Sequence, residues 1–161
     1  MVDPTRWFQS TPLQAQAVAR TASSAGDASG RSERPNTPSS MVVPIRSIGP
    51  GQIDRIEAHL LELDAHDRYL RFGYAANDEQ IHRYVNQLNF DRDELFGIFN
   101  RKLELIAMAH LAFSADPKCI SCAEFGVSVA KSARGRGYGS RLFERAVMHA
   151  RNEGVSLLFV H

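Results

Sequence analysis

Cysteine is scarce in this 161-residue chain, with two in all, and there is a single tryptophan. Two cysteines cannot build the disulfide framework of a small secreted domain. Nor can they complete a structural zinc site without histidines at finger-like spacing, and His149 and His161 are not arranged that way, so no metal is expected. The pair forms a lone C-x-x-C at Cys119 and Cys122; since Ser121 to Val129 reads as a strand instead of the opening of a helix, two reduced thiols are expected, not a thioredoxin-type site. An excess of charge is missing too: 19 Lys and Arg stand against 18 Asp and Glu, a formal net charge of +1. That balance offers no phosphate-tracking surface, and no nucleic-acid partner is expected. No stretch approaches the roughly 18 consecutive apolar residues that cross a bilayer. The N-terminus also lacks a basic segment followed by an apolar core, so no membrane partner is expected and the cytoplasm is the expected location.

What is present is ordinary in amount: 43% hydrophobic and 23% charged residues, enough for one globular domain with a real core. Residues 1–40 depart from this. They hold four of the seven prolines and runs such as Thr21-Ala-Ser-Ser-Ala-Gly, a composition that does not offset its ordering entropy by burial, and they read as a disordered N-terminal tail in which Trp7 and Phe8 are incidental. The domain is placed at 41–161, and translation could start at Met1 or at Met41, which opens the first strand-like run, Met41 to Arg46. Helical spacing follows in Gln52–Ala65 (Ile53, Ile56, Leu60, Leu63). It returns after the cap candidates Asn77 and Asp78 (Ile81, Tyr84, Val85, Leu88), with the aromatic and basic stretch Arg68–Tyr74 as the connection. The period then changes. Glu94–Asn100, Leu103–Phe113 and Cys122–Ala130 read as consecutive strands of an antiparallel meander. A helix carrying Leu142, Phe143, Ala146, Val147 and Ala150 is stopped at Gly154, and Val155–Val160 is one more strand.

The chemistry is concentrated between the third of those strands and the helix. Glycines at 135, 137 and 139 leave backbone N–H groups free to converge just before a helix N-terminus, an anion cradle, and Arg134, Arg136 and Arg141 add positive charge around a diphosphate-like guest. A Walker A loop needs a Gly-Lys pair, and none occurs. A dinucleotide fingerprint fits poorly, because Ser140 stands where its third glycine belongs and the following strand ends in His161 instead of an acid.

Arg134-Gly-Arg-Gly-Tyr-Gly, directly after the strand Val127-Ser-Val, resembles the R/Q-x-x-G-x-G/A loop of the Gcn5-related N-acetyltransferases (GNAT). The resemblance is specific over Ala123–Val160 and looser over Met41–Phe113; Lys131 stands where many members have proline. It implies an α/β fold of the α+β type, a mixed and mostly antiparallel sheet flanked by helices. It further implies acetyl-CoA as co-substrate, with the pantetheine arm along Val127, Ser128 and Val129 and the pyrophosphate on Arg134, Gly135, Arg136, Gly137, Tyr138, Gly139 and Ser140. An amine of a small molecule or protein would be the acceptor, and Glu124 takes the place of the glutamate that often serves as base, with His110 a second candidate. The family's usual tyrosine acid lies in a helix after the fifth strand, whereas this sequence stops at His161. The resemblance therefore implies a domain without its C-terminal strands, as a fragment or a shortened product, with an open sheet edge available for self-association. Two function classes stay open on these residues: an N-acetyltransferase, or a catalytically silent module that binds acyl-CoA or a partner chain.

Overall fold

The computed structural model describes residues 18–20 and 43–161. Among the described residues six strands form one sheet: β1 (Val18–Arg20), β2 (Arg46–Ser47), β3 (Glu94–Phe99), β4 (Leu105–Phe113), β5 (Cys122–Val129) and β6 (Leu157–Val160), in the spatial order β1-β6-β5-β4-β3-β2. Every neighbouring pair is antiparallel except β5 with β6, which are parallel. The parallel pair is reached by a crossover through the longest helix, as parallel strands require. The expected mixed, mostly antiparallel sheet flanked by helices is what the chain forms.

Three helices, α1 (Ile53–Leu61), α2 (Ala65–Phe72) and α3 (Asp78–Asn86), cover one face, and α4 (Tyr138–Asn152) covers the other. Ile56 and Leu60 of α1 and Ile81 and Val85 of α3 close over Leu95 and Met108. On the opposite face Leu142, Ala146 and Ala150, one stripe of α4, lie on Phe96, Leu111, Phe125 and Leu158. Burying each of the large aliphatic side chains contributes about 1.5–3 kcal/mol. No described helix is long and apolar enough to cross a membrane.

Four expectations are corrected. The connection placed at Arg68–Tyr74 is mostly helix: Asp64 caps α2 by accepting the Asp67 N–H at 2.8 Å, and Gly73 ends it at φ 81°. The strand expected from Met41 to Arg46 is confined to Arg46–Ser47, Pro44 lying just ahead of it; Met41 itself is outside the described residues. Within the segment expected as a tail, Val18–Arg20 form a strand paired with Phe159, Leu158 and Leu157, so the β6 edge is not open along those residues. An edge with unpaired N–H and C=O groups is a template for any extended segment that can reach it. The rest of the tail expectation lies outside the described residues. Finally, Cys119 and Cys122 are joined in a disulfide, not left as two thiols. The short 3₁₀ turn Pro117–Cys119 brings their Cα atoms to 5.3 Å, inside the range a disulfide bridges.

Candidate functional site

The site is built around one strand, β5, and its exit. Ala130 donates its N–H to the Ile106 carbonyl at 2.9 Å, so by strand alternation the N–H and C=O groups of Ser128 and Gly126 face β4, while those of Val127 and Val129 face the other edge. On that other edge β6 pairs with Cys122 to Phe125, and the last bond runs from the His161 N–H to the Phe125 carbonyl at 3.0 Å. Beyond it no described strand pairs with β5, and the amides of Val127 and Val129 have no strand partner among the described residues. A groove of about 240 Å³ runs beside them, walled by Asp67, Leu70 and Arg71 of α2.

β5 leads through a 3₁₀ turn, Lys131–Ala133, into the glycine loop and α4. Gly135 and Gly137 have φ of 78° and 75°, the left-handed region that glycine enters without strain. α2 and α3 cap their first turns with the side chains of Asp64 and Asn77, but α4 has Gly137 at its N-cap and no side-chain cap. Its first backbone bond runs from Arg141 to Gly137. Among the described residues the N–H groups of Gly135 through Ser140 therefore have no acceptor. Six consecutive donors at the positive end of a 15-residue helix are an arrangement that can receive an anion. A β-carbon at Gly135 or Gly137 would meet nothing within 4 Å, so the space in front of these amides is open.

The predicted binding residues divide by what the structure does with them. Val127, Val129, Gly135, Arg136, Gly137, Gly139 and Ser140 line the free edge and the loop. Ser128 faces inward: its hydroxyl meets Nε2 of His59 at 2.8 Å and its amide faces β4, so it supports the strand and does not present an amide to the groove. The Tyr138 ring is buried in the core beneath α4, leaving only its backbone N–H at the cradle. Arg134 stands at the groove mouth in an ion pair with Asp67 at 2.6 Å, next to a Lys131–Asp64 pair. Arg141 reaches back to the Val43 carbonyl.

Glu124, Gly126 and Ser128 occupy successive positions on the α1–α3 face of β5. Burial pushes the Glu124 carboxyl up to about 7, against the opposing charge of Arg71. That is the range in which a carboxylate accepts a proton at neutral pH. His110, the second base candidate, is fully buried between Asp93 and the Tyr84 hydroxyl, whereas Glu124 is half-buried; neither side chain lines the groove beside Val127 and Val129. Two further side chains shape the site: His59, which was not anticipated, and Arg71, which belongs to the aromatic and basic stretch Arg68–Tyr74 singled out in the sequence. His59 of α1 donates from Nδ1 to the Leu105 carbonyl at 2.9 Å and accepts from Ser128, and burial holds its pKa at about 4, so it is neutral. Arg71 lies over Gly126, where an added β-carbon would stand 2.6 Å from its Cζ. No group of three or more metal-ligating side chains occurs among the described residues.

The site thus combines a mixed sheet, a central strand with no described partner beyond Phe125 on one edge, and a glycine-rich helix N-terminus without a side-chain cap. The Acetyltransferase (GNAT) family model matches residues 56–161, and the chain belongs to that family. The GNAT domain of S. lividans PAT superimposes with a TM-score of 0.55 at 21% identity, covering 69% of this chain and 66% of that one. A ribosomal-protein-alanine N-acetyltransferase from Brucella melitensis gives 0.53 at 19% identity, covering 73% and 72%. A GNAT-family acetyltransferase from Staphylococcus aureus Mu50 gives 0.56 at 11%, with 73% and 72% covered. These likenesses establish the fold. The chain thus spans about two thirds to three quarters of the length of these structures. None of the curated proteins matches it.

Proposed function

We propose that this domain transfers an acetyl group from acetyl-CoA to an amine of a small molecule or protein. The observation that carries this reading is the row of six N–H groups, Gly135 to Ser140, at the head of α4, following a strand edge; among the described residues neither has a backbone partner. The residues present fit the co-substrate. The loop amides, with Arg136 exposed beside them, suit a pyrophosphate, and Val127 and Val129 offer the alternating donor and acceptor that an amide-bearing arm pairs with by strand addition. Asp67 and Arg134 tie the loop to α2, so the groove is closed on one side by a helix anchored at its own first turn.

Acetyl-CoA would supply the acyl group as a thioester. The chain's own part is to orient the arm along β5 and to remove a proton from the attacking amine. Glu124, half-buried and lifted to about 7, is the base in this reading, and its raised pKa supports its accepting that proton, directly or through one water. Holding the two reactants in one groove supplies the remaining advantage, since positioning converts a bimolecular encounter into a local one.

The experiment is a transfer assay over a broad panel of amines, reading release of the CoA thiol, run beside a calorimetric titration with acetyl-CoA. Saturable binding with acetylated product supports the reading. Binding without product on any amine would favour a silent acyl-CoA-binding module, and absence of binding would overturn the assignment.

A further inference from the structure

Glu124 has a neighbour that the proposed reaction does not by itself explain. Two residues on along the same face of β5 stands Gly126, and the space its side chain would fill holds a guanidinium. A β-carbon there would lie 2.6 Å from both Cζ and Nη1 of Arg71. Arg71 is 2% exposed, and an arginine so far from water is held by specific partners. Its Nη2 donates to the Tyr84 hydroxyl at 2.9 Å, and its Cζ stands 4.9 Å from the Phe72 ring and 5.4 Å from the Tyr84 ring. The chain of contacts continues inward. Tyr84 donates to His110 Nδ1 at 2.5 Å, and His110 Nε2 donates to Asp93 Oδ2 at 2.8 Å. The tautomer follows from chemistry: an ionised Asp93 only accepts, so Nε2 carries the proton and Nδ1 receives the hydroxyl. Asp93 is itself fixed by Arg92 at 2.8 and 3.1 Å and by the Phe113 N–H at 3.3 Å.

This buried line of polar groups crosses α2, α3 and β4, and only its Arg71 end lines the groove. A core fold needs no such line; apolar side chains would fill the same volume without the desolvation cost. We propose that Arg71 is a positioning residue of this site, fixed over Gly126 by the Asp93–His110–Tyr84 chain so that its charge acts on the neighbouring Glu124 carboxylate. This rests on Glu124 as the proton acceptor of the acetyl-transfer reading.

Among the described residues, the titratable groups around Arg71 include Tyr84 from α3, His110 from β4, Glu124 from β5, His59 from α1 and His161 after β6, and Asp67 of its own helix lines the same groove. Burial keeps the tyrosine protonated and lowers all three histidines, so Arg71 is the standing cation and Glu124 the group whose charge changes near neutrality. Burial alone would carry Glu124 higher than about 7, and the Arg71 charge opposes it.

The test is a ¹³C-carboxyl NMR titration of the folded protein without ligand, the Glu124 resonance being assigned by its loss in Glu124→Gln. Arg71→Met should raise the Glu124 midpoint by roughly one to two pH units, the effect of removing one nearby opposite charge. Arg71→Lys, which keeps the cation, should recover most of that shift. Tyr84→Phe, which removes the acceptor that holds Nη2, should raise the midpoint by less and serves as the readout should Arg71→Met fail to fold. The rising limb of kcat/KM against pH should move with the midpoint in each variant. An unchanged midpoint in folded variants overturns the proposal, as does a midpoint that moves while the rate profile stays in place. Failure of the wild type to bind acetyl-CoA is seen in a separate titration; it would sink the acetyl-transfer reading, and the proposal with it.

Discussion

Replacing Gly137 by valine attacks the cradle at the N-cap of α4. Gly137 sits at φ 75° as the N-cap of α4, and a β-carbon there meets nothing within 4 Å. The cost to the fold is therefore conformational and not steric: a left-handed residue with a β-branched side chain costs about 1–2 kcal/mol. For a domain of this size that lowers Tm by about 3–8 °C and leaves the protein folded at room temperature. The cost to binding is larger. The open space in front of Gly137 is where an anion would approach the N–H groups of Gly135 to Ser140, and the isopropyl group fills it. Losing two charge-assisted hydrogen bonds, at about 1.5–3 kcal/mol each, weakens acetyl-CoA binding by roughly 10²- to 10⁴-fold. Calorimetry on Gly137→Val is the assay, with Gly139→Ala as control. A β-carbon at Gly139 only reaches ordinary contact, 3.9 Å from Val129 Cγ2, and affinity there should stay within a few-fold of wild type. A folded Gly137→Val protein that binds acetyl-CoA as tightly as wild type would refute the cradle.

Glu124→Gln should retain acetyl-CoA binding while kcat falls about 10²- to 10⁴-fold, and in the wild type kcat/KM should drop tenfold per pH unit below about 7; a flat profile across that range would remove Glu124 from the base role. His59 carries a different dependence. Its folded pKa, about 4, lies below the unfolded value of 6.5, so the unfolded chain binds more protons between these values. The stability His59 confers is therefore complete above pH 6.5 and is lost as pH falls toward 4, by about 3 kcal/mol in all. Urea denaturation of His59→Gln against wild type at pH 4.5 and 7.5 checks this, the variant being expected to lose less stability on acidification. Deleting residues 1–42 removes β1 and uncovers Leu157, Leu158 and Phe159 along β6, so sedimentation should show concentration-dependent association with acetyl-CoA binding intact; a monomer at all concentrations would deny the strand its covering role.

Much of this architecture was legible because each element carries its own period. The stripe Leu142, Ala146, Ala150 announces α4, and the short apolar runs Glu94–Phe99 and Leu105–Phe113, parted by a turn near Arg101, announce the hairpin that the sheet then forms. The loop was legible for a different reason: glycines at 135, 137 and 139 are a local signal, and two of them do adopt the positive φ that only glycine accepts freely. α2 was missed although Asp64 and Gly73, its cap and its stop, stand in plain view, because the helix is only eight residues long and its charged residues leave too few apolar positions to show a period. The contacts that shape the site were beyond any local reading. His59 meets Ser128 across 69 positions, and Tyr84 meets His110 across 26. Pairings of that range are decided by how the helices settle on the sheet, and no spacing rule encodes them. His110 shows the limit well: its sequence neighbourhood marks a core residue, while its partners Asp93 and Tyr84 emerge only once three elements are packed.

The central claim is that one strand edge and one helix N-terminus together hold acetyl-CoA. A ¹⁵N amide NMR titration of the full chain with acetyl-CoA tests it at the atoms concerned. Saturable shifts should gather at Gly135 through Ser140 and at Val127 and Val129, and should be lost in Gly137→Val. A titration that leaves these amides unmoved, or that moves a set elsewhere on the sheet, would contradict the account.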